Sequence, residues 1–232
     1  MSEPVRLRLL VPQGADVDPD EAYARPPDVP WLRANMVCSV DGAITGPDHR
    51  SHAISSDVDR FVFAALRRQA DVVLVGAGTA RIEGYRPAAV PVALVSARLE
   101  LDLTSPLLAH APQRTIVYTA ASAGPERIAA TARVADVVLC GEHLVDLAVA
   151  VDDLRTRGLQ RVLCEGGPTL LGAIVGHGVL DELCLTVSPV LVGGTIQRIV
   201  AGTPLPGLVD LELAQLLESG GSLFARYLVG RG

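Results

Sequence analysis

The chain has 232 residues, a formal net charge of −6 with neutral histidines, 49% hydrophobic residues and 20% charged residues. This composition predicts one folded domain or two small ones and excludes a disordered chain. No apolar run approaches the ~18 residues of a membrane helix and the N-terminus lacks a signal-peptide layout, so we expect a cytoplasmic protein. All twenty cationic residues are arginines, which excludes lysine Schiff-base chemistry and a P-loop lysine.

The distribution of charged and metal-binding residues argues against nucleic acid and metal ions as partners. The arginines are scattered rather than grouped in a basic stripe, which argues against nucleic acid. The histidines lack metal-ligand spacing with a third partner, so we expect no metal site. The cysteines are widely spaced within apolar stretches, which predicts reduced core thiols at Cys38, Cys140, Cys164 and Cys184.

The patterning predicts an N-terminal arm over residues 1–30 and a domain over residues 31–232. The arm begins with an alternating stretch, Val5–Val11, which indicates a short strand or arm, and continues as an irregular segment rich in proline, aspartate and alanine. Valine- and leucine-rich runs then predict strands at Trp31–Val40, Val72–Val75, Val92–Val95, Thr115–Tyr118, Val137–Leu139, Arg161–Cys164, Glu182–Val187 and Leu223–Val229. The clearest helices are Ser56–Gln69, Leu147–Arg157 and Pro168–His177.

The order of these elements predicts the fold class. The helices lie between strands, which favours a three-layer α/β fold with a mostly parallel central sheet. A glycine- and proline-rich stretch with no clear helix separates the last two predicted strands. We therefore expect an antiparallel edge at the C-terminal end of the sheet.

The strongest local signal is a glycine turn after a buried strand. Glu165-Gly166-Gly167-Pro168-Thr169 leads from the strand into a helix. The free N–H groups and dipole of a helix start favour phosphate, and glycine allows a ligand to approach the backbone. Glu165 lies at the carboxyl end of its strand, where open α/β sheets bind ligands. A tight strand–helix connection without a ligand is the alternative interpretation.

A second glycine turn, Gly76-Ala77-Gly78-Thr79-Ala80-Arg81, imitates a dinucleotide-binding fingerprint. Arg81 replaces the third glycine, and no acidic residue ends the next strand, so the match is weak. That strand is followed by Ser96 and Arg98, a hydroxyl and a guanidinium that would suit the 2′-phosphate of NADPH. A surface turn with a solvated arginine is the alternative.

A third polar segment ends the first strand of the domain. Asn35, Ser39 and Asp41 alternate onto one face of an otherwise apolar strand. Buried polar groups need partners, which can be each other or a ligand. These residues could equally fix the turn at Asp41 and Gly42.

Four segments in order resemble the reductase domain of bacterial riboflavin biosynthesis. This domain is the C-terminal half of a bifunctional deaminase–reductase, has stand-alone relatives and shares the dihydrofolate reductase fold. The likeness covers roughly residues 31–230, and the deaminase signatures are absent from the sequence, so we expect reductase activity only. The segments are Ser39-Val40-Asp41-Gly42, Ile54-Ser55-Ser56 with Arg67, Val75–Thr79 with Glu83, and Glu165–Leu170.

The resemblance implies NADPH-dependent reduction of the ring-opened ribose of 5-amino-6-(5-phosphoribosylamino)uracil to its ribityl form. It implies substrate contacts from Ser51, Arg67 and Glu165. It also implies cofactor contacts from Val37, Thr79, Glu83 and Ser96 and from the turn residues Gly166, Gly167, Pro168, Thr169, Leu170, Leu171 and Gly172. Asp41 is the candidate proton donor, a role that needs a pKa raised by burial. A structural role in its own turn is the alternative.

One stretch departs from the family pattern. The family has Asp-Pro-x-Leu-Thr-x-Arg after the threonine, with an arginine for the substrate phosphate, whereas this chain has Glu83-Gly84-Tyr85-Arg86-Pro87. Arg86 is a candidate substitute for that arginine.

Two alternative functions stay open. One is a reductase of the same fold that acts on another heterocycle, such as dihydrofolate or a dihydropterin. The other is a non-catalytic protein that binds a nucleotide or flavin precursor. The family's homodimers, together with the apolar strands Leu183–Val192 and Leu223–Val229, predict a homodimer.

Overall fold

The computed structural model describes residues 7–11, 16–24, 29–195 and 197–230. Within these residues eleven strands form one sheet. The strands are β1 (Leu7–Val11), β2 (Asp16–Val17), β3 (Trp31–Ser39), β4 (Val72–Gly76), β5 (Val92–Val95), β6 (Ile116–Thr119), β7 (Asp136–Leu139), β8 (Arg161–Cys164), β9 (Glu182–Ser188), β10 (Leu211–Ser219) and β11 (Ser222–Val229).

The α-helices differ in length and in how they begin. The longest, α2, starts where the Ser56 hydroxyl accepts a hydrogen bond from the Asp59 N–H, and it ends with Arg67 and Arg68 near its negative dipole end. The helices are α1 (Pro19–Ala22), α2 (Asp57–Arg68), α3 (Ala77–Ile82), α4 (Pro106–Ala109), α5 (Pro125–Ala132), α6 (Leu147–Thr156) and α7 (Pro168–Gly176). None of the helices in the described ranges combines the length and apolarity that a bilayer crossing requires.

The sheet has a parallel part and an antiparallel edge, as predicted. The strand order is β2-β1-β10-β11-β9-β3-β8-β4-β5-β6-β7. All pairs from β9 to β7 are parallel, whereas β11, β10, β1 and β2 add to the sheet in antiparallel fashion. The carboxyl ends of β3, β8, β4 and β5 therefore meet at one edge of the sheet.

Helices cover both faces of the parallel part. In β4, Val72 and Leu74 pack in the core layer that contains α6 and α7, whereas Val73 and Val75 pack in the layer that contains α3 and α4. A further cluster packs α1 and α2 against the sheet. Each fully buried leucine, such as Leu154, stabilises the fold by roughly 1.5–3 kcal/mol. The predicted core cysteines are free and buried.

The structure adds two features to the predicted architecture. The stretch Leu211–Ser219 is strand β10, although its Leu, Glu, Ala and Gln residues are good helix formers, because it pairs with β11 on one side and β1 on the other. Residues of the predicted N-terminal arm supply β1 and β2 at one edge of the sheet. Residues 1–6, 12–15 and 25–28 of that arm lie outside the described residues.

Candidate active site

The two glycine turns that the sequence singled out lie side by side. The Gly76 N–H donates to the carbonyl oxygen of Gly166 at 2.8 Å, and the Glu165 N–H donates to the Leu74 carbonyl at 3.0 Å. A Cβ on Gly167 would overlap the hydroxyl oxygen of Thr79, and Gly166 has a φ of +76°. Glycine is therefore required at both positions, by close approach at one and by conformation at the other.

Helix α7 begins at this junction with an open N-terminus. Its N-cap is Gly167 and its first residue is Pro168, and no side chain of the described residues caps it. The first N–H groups of a helix have no partner within the helix, so those of α7 are available to an anion.

A cavity of about 810 Å³ lies in front of the two turns, at the carboxyl ends of β3, β4 and β8. Its wall combines β3, the loop over residues 44–55, α2, the stretch over residues 79–88 and the α7 turn. The predicted site residues on this wall are Val37, Ser51, Arg67, Thr79, Glu83, Arg86, Glu165, Gly167 and Pro168.

Other predicted cofactor residues lie away from the cavity wall. Leu171 is fully buried and Leu170 nearly so, both in the core beside α6. A Cβ on Gly172 would overlap the carbonyl oxygen of Ala201. These three residues do not line the cavity, and their predicted contact with the cofactor stays a prediction. Gly166 is buried, Thr169 is exposed at the start of α7, and Ser96 is half-buried after β5.

Three side chains form one hydrogen-bonded group at the cavity, which we call the cavity cluster: Arg67, Glu165 and Tyr85. Arg67 donates from Nε and Nη2 to the two carboxylate oxygens of Glu165, at 2.6 and 2.7 Å. The Tyr85 hydroxyl donates to Oε2 of Glu165. The guanidinium also lies over the Phe63 ring, 4.5 Å from its centre. Such a bidentate pair is held in both distance and orientation.

Burial and charge set the protonation states in this cluster. Burial alone would lower the pKa of Arg67, but the hydrogen bond and the charge of Glu165 outweigh it and raise that pKa. Burial, followed by the charge of Glu165, raises the pKa of Tyr85 well above its ordinary value. Tyr85 is therefore a neutral O–H donor at physiological pH. The Glu165 side chain is only 2% exposed, whereas that of Arg67 is 28% exposed and faces the cavity.

A second contact joins residues that the resemblance assigned to different ligands. The Ser51 N–H donates to Oε1 of Glu83 at 2.9 Å. Glu83 therefore links the end of α3 to the loop over residues 44–55, both of which line the cavity.

Comparison with known proteins identifies the family. The sequence pattern of the RibD C-terminal domain matches residues 30–224. The chain belongs to the RibD C-terminal domain family. The resemblance predicted from the sequence is therefore confirmed.

Curated RibD-family relatives match over most of the chain. A protein of Methanothermobacter thermautotrophicus named 2,5-diamino-6-ribosylamino-4(3H)-pyrimidinone 5′-phosphate reductase is 29% identical over 213 residues, covering 86% of this chain and 98% of the relative. A protein of the same name from Archaeoglobus fulgidus is 27% identical over 183 residues, covering 71% and 83%. Their names agree with the predicted reductase class.

A solved structure shows the same RibD-type fold. A pyrimidine reductase-like protein from Corynebacterium diphtheriae superposes with a TM-score of 0.83 at 26% identity, over 93% of this chain and all of that one. The α/β fold that the resemblance implied is therefore confirmed.

Asp41, the predicted proton donor, lies outside the cavity wall. Its carboxylate accepts hydrogen bonds from the Ser39 hydroxyl and from the N–H groups of Val192 and Gly193. The Ser39 and Gly193 bonds lower the pKa of Asp41. A proton donor near neutral pH needs the opposite shift. These hydrogen bonds support the structural alternative, in which Asp41 joins the end of β3 to the loop after β9.

The sequence prediction missed Asp59, Phe63 and Tyr85 on the cavity wall. Asp59 and Phe63 precede Arg67 by two turns and one turn of α2, so the helical period alone could have placed all three on one face. An acidic residue is ordinary in the first turn of a helix, because it interacts favourably with the helix dipole. Asp59 therefore gave no sign of a position on the cavity wall, although the four-residue spacing was visible. Within the described ranges, no group of three or more His, Cys, Asp and Glu side chains could hold a metal ion.

Proposed function

We propose that this chain is an NADPH-dependent reductase of riboflavin biosynthesis that converts the open-chain ribose of a phosphorylated ribosylaminopyrimidine to the ribityl form. One observation carries the proposal: the open α7 N-terminus and its glycine junction share a cavity wall with the cavity cluster. This arrangement offers an anion site and a polar, oriented recognition site next to each other. The names of the curated relatives support the reaction class.

The glycine junction fits a dinucleotide. The space beside Gly167 and Thr79 would be filled by any side chain at position 167, and the α7 N–H groups suit a diphosphate. NADPH, when bound, supplies the hydride. Val37 on β3 and Thr79 on α3 line the cavity where the nicotinamide end would be positioned.

The preference for NADPH over NADH rests on residues that follow β5. Ser96 is half-buried and Arg98 is exposed there, one strand beyond the glycine junction. A hydroxyl with a nearby guanidinium suits a 2′-phosphate, because guanidinium groups bind phosphate through paired donors.

The opposite side of the cavity would hold the substrate. Arg86 is exposed on the cavity wall and can bind a phosphate, while Ser51 offers a hydroxyl. Glu165, held by Arg67 and Tyr85, presents a fixed carboxylate that can accept hydrogen bonds from ribityl hydroxyls or a ring N–H.

Hydride transfer depends mainly on how the protein positions the reacting groups. Hydride addition to C1′ of the open-chain imine requires one proton on the attached nitrogen. The lowered pKa of Asp41 and its position outside the cavity wall argue against it as the source of that proton. The contribution of this chain is to hold the reacting carbon at a fixed distance and angle, which can supply several kcal/mol of barrier reduction.

A homodimer is part of the proposal. Leu211, Leu213 and Leu223 are exposed on the antiparallel edge strands β10 and β11. Exposed apolar side chains on edge strands are suited to a second copy of the chain. The cytoplasmic location stays a prediction from the sequence.

The proposal is tested by titration with NADPH and NADH, followed by turnover assays. The assays use 5-amino-6-(5-phosphoribosylamino)uracil, 2,5-diamino-6-ribosylamino-4(3H)-pyrimidinone 5′-phosphate and dihydrofolate. We expect tighter binding of NADPH than of NADH and turnover of a ribosylaminopyrimidine phosphate. Turnover of dihydrofolate alone would assign the protein to another heterocycle. Failure to bind either nucleotide would mean that the glycine junction is only structural.

A further inference from the structure

We propose that Arg127, in the first turn of α5, binds the 2′-phosphate of NADPH together with Arg98 and so determines the preference of the enzyme for NADPH over NADH. This inference rests on the proposed function, which assigns the 2′-phosphate to Ser96 and Arg98 after β5. It adds a residue from another helix, to which neither the glycine turns nor the family resemblance gave a role.

The first observation is a hydrogen bond between α5 and the loop after β5. Nη1 of Arg127 donates to the carbonyl oxygen of Arg98 at 2.9 Å. This bond uses one of the five N–H donors of the guanidinium, so the other donors on the same rigid plane are available to a ligand. The contact brings Arg127 to the backbone of the residue whose own guanidinium is assigned to the phosphate.

The second observation is that neither guanidinium has a negative partner. Other arginines, such as Arg114, form ion pairs with carboxylates. Among the residues that the structure describes, Arg98 and Arg127 form no ion pair, although Glu100 and Glu126 are close to them in sequence. Both arginines are exposed. A phosphate monoester, which carries up to two negative charges, is a suitable partner for two guanidinium groups.

The third observation is a further arginine on the same loop. Nη1 of Arg81, in the last turn of α3, donates to the carbonyl oxygen of Glu100 at 3.3 Å. Guanidinium groups from α3 and α5 are therefore both bonded to the backbone of the loop over residues 96–100. Such a concentration of positive charge in a chain with a net charge of −6 attracts an anionic ligand to this loop.

The order of the strands places this loop where the adenosine end of the cofactor would lie. The cavity is at the carboxyl ends of β3, β8 and β4, and the glycine junction is between β8 and β4. A dinucleotide with its nicotinamide in the cavity and its diphosphate at the junction extends its other end toward β5 and β6. Neighbouring strands are about 4.8 Å apart, so the loop after β5 and the start of α5 after β6 are within reach of that end.

The test compares the Kd values of NADPH and NADH for the wild type, Arg127→Gln and Arg127→Lys. Glutamine keeps N–H donors but lacks the charge, so the Kd for NADPH should rise about tenfold while that for NADH changes less than about twofold. Lysine restores the charge without the planar fork and should recover part of the NADPH affinity. Arg133→Gln, an exposed change at the end of the same helix, is the matched control and should leave both Kd values unchanged.

Salt dependence gives a second measurement. In the wild type the Kd for NADPH should rise more steeply with salt concentration than the Kd for NADH, because the 2′-phosphate adds contacts between charges that salt screens. In Arg127→Gln the two salt dependences should lie closer together, whereas the control variant should keep the difference of the wild type.

The outcomes separate the role of Arg127 from the proposed function. A wild-type ratio of the two Kd values in Arg127→Gln would overturn the role of Arg127. An equal loss of affinity for both nucleotides would overturn it as well, because Arg127 would then only hold the loop. Equal affinity of the wild type for NADPH and NADH would do the same. Failure of the wild type to bind either nucleotide would overturn the proposed function instead.

Discussion

Two carboxylate–arginine clusters in this molecule use the same residue types in opposite ways. In the sealed cluster (Arg33, Glu182 and Arg226), the carboxylate is fully buried and the side chains of Arg33 and Arg226 are 3% and 14% exposed. The distances from Glu182 to the two guanidinium groups are 2.9 and 2.8 Å. In the cavity cluster, Glu165 is equally buried, but Arg67 faces the cavity.

The difference shows how surroundings decide the role of an ion pair. The sealed cluster also accepts a hydrogen bond from the Trp31 indole, and Arg33 and Arg226 donate to the carbonyl oxygens of Tyr23 and Ala22. It therefore joins the end of α1 to β3, β9 and β11. The cavity cluster has fewer links to the rest of the fold and opens onto the cavity of about 810 Å³. We expect the first to govern stability and the second to govern activity.

The largest effect is expected for Glu182→Gln in the sealed cluster. The change leaves two buried guanidinium groups without their charge partner, which should destabilise the protein by about 3–5 kcal/mol. Urea unfolding measures this loss, and Glu212→Gln, an exposed change on β10, is the control. If the loss of unfolding free energy were as small as that of the control, contacts other than the sealed cluster would stabilise this region.

The same cluster should give the protein part of its acid sensitivity. Burial opposes the charge of Glu182, but Arg33 and Arg226 outweigh burial and lower its pKa below the ordinary value of about 4.5. The unfolded chain then binds a proton at higher pH than the folded one, so this contribution is complete above about pH 4.5 and is lost as the pH falls through the lower folded pKa. Glu182→Gln should lack that part of the pH dependence in unfolding measured across the acidic range.

A large effect on activity is expected for Glu165→Gln in the cavity cluster. The variant loses the negative charge that orients Arg67 and one of the carboxylate oxygens that accept hydrogen bonds from Arg67 and Tyr85. The value of kcat/KM should therefore fall about 100-fold, or about 2.7 kcal/mol. Because Arg67 can be solvated from the cavity, the loss of unfolding free energy should stay near 1–2 kcal/mol. Glu142→Gln, at an exposed position, is the control. A stability loss as large as that of Glu182→Gln would erase the distinction between the clusters.

A moderate effect is expected for Gly167→Ala at the glycine junction. The methyl group would displace the Thr79 hydroxyl and fill the space beside the α7 N-terminus, so the Kd for NADPH should rise at least about tenfold. Gly207→Ala, where a Cβ meets nothing within 4 Å, is the matched control. Equal affinities for NADPH in the two variants would remove the junction from the cofactor site.

The smallest effect on activity is expected for Asp41→Asn. Asp41 lies outside the cavity wall and holds the loop at Val192 and Gly193, so kcat/KM should change less than about threefold while the melting temperature falls slightly. A loss near 100-fold with a shifted pH–rate profile would restore Asp41 as the proton donor.

The sequence predicted the parallel part of the sheet because buried parallel strands appear as short apolar runs, as in Val72–Val75. It missed β10, because a half-exposed edge strand can contain Leu, Glu and Gln, and only its pairing with β1 and β11 settles its conformation. Long-range pairing of this kind leaves no local pattern.

In the candidate site, too, the sequence predicted features that depend on local backbone structure and missed those that depend on distant segments. Gly167 and Glu165 were visible because a glycine turn after a strand has local consequences for the backbone. The pairing of Arg67 with Glu165, and of Ser51 with Glu83, depends on distant segments that only the fold brings together. The buried Oδ1 of Asp59 has no hydrogen-bond partner among the described residues, and this could not be predicted, because an unsatisfied atom is defined by the absence of neighbours in three dimensions.

The hydrogen bond from Gly76 to Gly166 has a consequence for how the protein folds. It joins two turns that are far apart in the chain and continues the pairing of β4 with β8. Contacts of high sequence separation form slowly because loop closure must come first. In refolding experiments, recovery of nucleotide binding should therefore lag behind helix formation, and a bound nucleotide would act as a reporter for assembly of the centre of the sheet.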